Sequence, residues 1–172
     1  MKLGSIAALA VVALALVPAA GMAATTPKKP APAVAPTAPQ FDQGVAAYGR
    51  ADYATAYRLW RPLAERGNAT AQAGLGYMYE NGRGVAQDYA AASSWYRKAA
   101  DQGYAEAQLN LGLMYANGQG VAQDYVQAHK WSNLSAASGN ADALKNRDMI
   151  AAKMTPAQIG EAQRLASAWR KK

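Results

Sequence analysis

Cysteine is absent from this 172-residue chain, and histidine and phenylalanine occur once each. Without cysteine there are no disulfides, no thiol nucleophile and no thiolate metal ligands. A single histidine, His129, excludes a multi-histidine metal site, and any Ser-His-Asp device would have to be built on it. His129 falls between the periodic apolar positions 128 and 131, with no nucleophile and orienting partner in view. No catalytic residue, metal site or cofactor site is therefore expected, and the chain reads as a non-enzyme. Acidic residues are also scarce: 11 against 18 Lys and Arg, for a formal net charge of +7. That balance suits acidic partners. The basic residues are scattered rather than gathered in a stripe, which argues against nucleic acid.

Long apolar runs are missing too. The longest, IAALAVVALALV at 6–17, has 12 residues, short of the ~20 that span a bilayer. It follows Lys2 and precedes PAAGMA, with Gly21 and Ala23 at the −3 and −1 places of a signal cleavage site. Residues 1–23 are thus expected to be a secretory signal, leaving no stable membrane span after cleavage and an exported, periplasmic or secreted, protein. Residues 24–40, ATTPKKPAPAVAPTAPQ, carry five prolines. Proline fixes φ and has no N–H, so this stretch reads as a disordered, polyproline-like tether.

What is abundant is self-similarity. Residues 81–89 read NGRGVAQDY and residues 117–125 read NGQGVAQDY, 36 positions later, with only Arg83 and Gln119 different. At the same offset Gln72 aligns with Gln108, Leu75-Gly76 with Leu111-Gly112, Trp95 with Trp131, and Gly67 with Gly103 and Gly139. A period of this size marks stacked supersecondary units. Each unit reads as two helices. Ala107, Leu111, Met114 and Tyr115 share one helical face, Gly118 follows as a left-handed C-terminal residue, and Asp124 starts the next helix as N-cap. Gly76 and Gly112 lie inside first helices, where glycine costs about 1 kcal/mol against alanine. A close neighbour would explain them, and the Trp of the second helix is expected to fill the dent. The nonamer has neither the Lys-Ser/Thr of a phosphate loop nor a preceding strand, so its glycines serve a turn.

Residues 68–103 and 104–139 carry the Ala-x-x-x-Leu-Gly-x-x-Tyr, Gly-x-Gly-Val-x-x-Asp and Trp…Ala-Ala…Gly positions and resemble two Sel1-like repeats. That resemblance, to a tetratricopeptide-related family, implies an all-α, short α-solenoid of antiparallel helix pairs acting as an adaptor surface for proteins or peptides. Residues 41–67 read as a degenerate tetratricopeptide-like repeat with a tight turn at GRAD, and Pro62 is expected to kink its second helix near Trp60. Residues 140–172 read as a partial repeat and a C-terminal capping helix. Thr155, Pro156 and Gln158 form its start, Ile159, Ala162, Ala166 and Trp169 its inner face, and Arg170-Lys171-Lys172 its basic end.

In the architecture so implied, first helices line the concave face. Residues there that point away from the partner helix are Thr70, Ala73, Tyr77, Glu80 and Asn81, then Glu106, Leu109, Leu113 and Asn117. Tyr77, Leu109 and Leu113 would form an apolar strip for a peptide, or else pack between adjacent repeats. Two functions follow: a non-catalytic protein- or peptide-binding scaffold, or an envelope factor holding anionic cell-wall or lipid polymers through its basic tether and tail.

Overall fold

The computed structural model describes residues 38–172, with side chains from Gln40 onward. The expected signal at 1–23 and residues 24–37 of the expected tether lie outside the described residues. The described residues form eight helices and no strand: α1 (Ala38–Gly49), α2 (Tyr53–Glu65), α3 (Ala69–Asn81), α4 (Tyr89–Asp101), α5 (Ala105–Asn117), α6 (Tyr125–Ala137), α7 (Ala141–Ala151) and α8 (Pro156–Ala168). Helices α1 to α7 pack in chain order, each on the next, and α8 returns to α6. This is a short α-solenoid of helix hairpins.

One boundary differs from expectation. Helix α1 begins at Ala38, inside the stretch read as tether. Pro39 falls in its first turn, where the N–H it lacks would have had no intrahelical acceptor. Helix α2 continues through Pro62 to Glu65. The carbonyl left without its N–H partner is that of Arg58, an exposed residue that water can reach.

The repeated nonamer ends one helix and starts the next by the same bonds twice. Gly82 and Gly118 are left-handed, with φ of 64° and 66°. Asp88 accepts from the N–H of Ala90 and Ala91, and Asp124 from those of Val126 and Gln127. Gln87 donates to the Glu80 carbonyl and Gln123 to the Ala116 carbonyl, both at 2.8 Å. The second glycine of each loop does more than turn. A Cβ on Gly84 would lie 2.8 Å from the Tyr53 carbonyl oxygen, and one on Gly120 2.0 Å from that of Tyr89. Each loop therefore rests on the start of the preceding repeat's second helix, and only glycine permits that approach.

Gly76 and Gly112 receive close neighbours from their second helices, though not the expected Trp. A Cβ on Gly76 would meet the Tyr96 ring at 2.7 Å, and one on Gly112 the Ser132 hydroxyl at 2.8 Å. In the first hairpin Gly44 faces Trp60, which Gly74 of α3 grips from the other side. Positions 60, 96 and 132 follow the repeat step, so the filler is the residue after Trp95 and Trp131. One residue turns a helix by about 100°, which sends Trp95 to the α1–α3 core and Tyr96 to its own hairpin.

Adjacent repeats are also stitched by buried polar groups. Gln72 donates to the Ala64 carbonyl at 3.0 Å, and Gln108 to the Ala100 carbonyl at 3.1 Å. The next position in that series is Leu144, which is 45% exposed. There the array stops. Thr155 and Gln158 form the expected capping box, and Ala162 and Ala166 are buried. Trp169 meets Trp131 edge to face with centroids 6.5 Å apart. The basic tail is drawn in as well: Lys172 Nζ pairs with the Asp101 carboxylate at 2.7 Å, and its backbone N–H donates to the Asp101 carbonyl.

Candidate functional site

The first helices carry every residue proposed from sequence for partner contact, but packing uses up three of them. Leu109 and Leu113 are 3% and 8% exposed, and pack with Ala143 of α7. Helix α7 docks on them as the first helix of a further repeat would. The expected strip of Tyr77, Leu109 and Leu113 is therefore not a surface, because α7 covers its leucines. Glu80 is also interior, and its carboxylate accepts from the Tyr96 hydroxyl at 2.7 Å. Burial, and then the Glu80 charge, hold the Tyr96 hydroxyl well above its ordinary value, so it stays protonated and donates.

The others remain reachable. Asn81 is exposed and donates to the Tyr77 carbonyl at 2.9 Å, closing the end of α3. Asn117 is half-buried and donates to Gln119 at 3.3 Å. Thr70 and Ala73 are half-buried. Glu106 lines a depression of about 360 Å³ between the starts of α5 and α7, with Leu109, Asn140 and Asp142. Its carboxylate accepts from Asn140 at 3.3 Å. Partial burial raises the Glu106 carboxyl, and the nearby Asp142 charge adds to the effect. His129 is interior. Burial, and then Arg147, lower its imidazole, while Asp148 opposes them.

Tyr77 belongs to a cluster that spacing alone did not reveal. The Arg83 guanidinium carbon lies 5.6 Å from the Tyr48 ring centroid and 5.5 Å from those of Tyr53 and Tyr77. Arg83 also donates to the Tyr48 hydroxyl. Burial pushes that hydroxyl up to about 12, against the opposing effect of Arg83. The three rings come from the end of α1, the start of α2 and the last turns of α3, so the cluster spans the seam between the first two hairpins. The second seam has no counterpart, because Leu113 and Gln119 stand where Tyr77 and Arg83 stand. The available signal was that one substitution within the repeated nonamer.

Among the described residues no helix is long and apolar enough to cross a membrane. No curated protein sequence matches the chain. Among solved structures it resembles a protective antigen of uropathogenic Escherichia coli strains, c5321, described as displaying an SLR fold. Identity is 34%, the TM-score 0.72, and the match covers 76% of this chain and 29% of that one. The chain thus accounts for under a third of that protein's length. It also resembles a Sel1 repeat protein from Oxalobacter formigenes, at 42% identity and a TM-score of 0.58, over 63% of this chain and 85% of that one. The family model for the Sel1 repeat matches residues 42–68, 69–104 and 105–140. The first hairpin, read from sequence as a degenerate tetratricopeptide-like unit, is thus a repeat of the same kind as the other two. With three consecutive repeats over more than half its length, the chain belongs to the Sel1 repeat family.

Proposed function

We propose that this chain is an exported, non-catalytic scaffold that binds a protein or peptide along its first helices. The observation that carries the reading is the uneven use of those helices. Packing buries Leu109, Leu113 and Glu80 but leaves Tyr77, Asn81, Glu106 and Asn117 within reach at successive hairpins. A stacked array with reachable side chains at a regular spacing suits an extended segment held by a few anchors. The alternative, an anionic polymer held by the basic tether and tail, has one tail cation fewer to offer because Lys172 pairs with Asp101.

Photocrosslinking tests the face. A photoreactive residue at Tyr77 or Asn81 should trap discrete protein adducts from the organism's own envelope. One at Arg58 or Lys98, exposed on second helices, should not. Matching adduct patterns from both faces would reject the proposal.

A further inference from the structure

Arg83 is the one residue that distinguishes two otherwise identical loops, and turn geometry does not require it. The loop carrying Gln119 has the same left-handed glycines, with φ of 66° and 67° against 64° and 73°, and the same Gln and Asp bonds. Arg83 is half-buried against three tyrosine rings and bonded to one hydroxyl. The ion pairs formed among the described residues do not include it. A guanidinium has five N–H donors in a planar fork. Here one is spent on Tyr48, and the rings hold the fork in place.

We propose that Arg83 is the anchor for a carboxylate side chain of an acidic peptide lying across the α1–α3 seam. This rests on the scaffold reading above and names the chemistry of its partner. A fork already ordered by stacking loses less side-chain entropy on binding. Flanking rings exclude water and strengthen a bidentate guanidinium–carboxylate pair. Once Lys2 leaves with the expected signal, 17 Lys and Arg stand against 11 Asp and Glu, and the net charge of +6 draws acidic segments and repels basic ones. Tyr77 packs on the guanidinium, and the exposed Asn81 lies two residues before it in the chain.

The test uses the full mature chain and three bead-bound pools of random heptapeptides whose central residue is fixed as Glu, Gln or Lys. The protein should be retained by the Glu pool about tenfold better than by the Gln pool, the scale of one charge-assisted hydrogen-bond pair. Arg83→Gln copies the residue found in the second loop and should abolish the preference, while the lost ring contacts lower the melting temperature by only a few degrees and leave the helical signal intact. Arg83→Lys, which keeps the charge and loses the fork, should retain only part of it. Arg97→Gln removes an exposed arginine that also lies over a tyrosine ring and should change nothing. Soluble polyglutamate should displace the bound protein more effectively than polygalacturonate of equal charge. Equal retention by the Glu and Gln pools, a preference that survives Arg83→Gln, an equal loss in Arg97→Gln, or stronger displacement by the polysaccharide would each overturn the proposal. If Tyr77 crosslinks to a partner while the pools show no Arg83 dependence, the scaffold reading stands and the anchor falls.

Discussion

Single atoms decide the tightest contacts in this molecule. Gly120 has φ of 67°, and a Cβ there would fall 2.0 Å from the Tyr89 carbonyl oxygen. Gly160 sits in α8, where an added methyl would have nothing within 4 Å. The same substitution should therefore have opposite signs at the two sites. Gly120→Ala should destabilise by about 2–4 kcal/mol, combining left-handed strain with displacement of the neighbouring repeat. Gly160→Ala should stabilise by up to about 1 kcal/mol through helix propensity. Urea unfolding of the two variants checks both signs. A loss at Gly120 of only about 1 kcal/mol, the left-handed strain by itself, would mean that the loop glycine is there for the turn alone.

Among the elements, α4 and α6 start in the same way, and their caps were readable before any packing was known. The Asp124 carboxylate accepts two N–H groups that have no intrahelical partner. Asp124→Ala should cost about 1 kcal/mol, while Asp124→Asn, which keeps an acceptor oxygen, should cost a few tenths. Thermal melts of the pair would separate the hydrogen bond from the charge. Caps and left-handed glycines are legible because they depend on three or four consecutive residues. The rotation of a helix about its axis is less so. Trp95 and Tyr96 are adjacent and both bulky, and only the neighbouring hairpin determines which one fills the space above Gly76.

At the scale of the whole array, stability should resemble a sum of repeats and interfaces. Helix α8 closes one end by laying Trp169 against Trp131, while Leu144 and Met149 of α7 stay exposed. A chain ending at Ala152 would uncover Trp131 and should lose about 3 kcal/mol, or roughly 10 °C in melting temperature. The far-UV helical signal should fall only by the contribution of α8. A variant that melts unchanged would show that α8 is an appendage. The candidate surface belongs to this scale too. Leu109 and Leu113 were plausible partner contacts until α7 was seen to cover them, and Glu80 until Tyr96 was seen to bond it. Arg83 stood out in the sequence only as a difference. The rings around it come from three separate helices.

The sequence by itself determined the helical hairpins, their period, their caps and turns, and the terminal capping box. Each of these depends on local backbone chemistry and on side chains a few positions apart. Tertiary structure alone decided which residues fill the glycine dents, which face of the first helices α7 takes, and where a guanidinium meets three tyrosines. Those contacts join residues tens of positions apart, and the angle at which one helix lies on the next sets them. A repeat of 36 residues specifies that such an angle recurs but leaves its value to the packing.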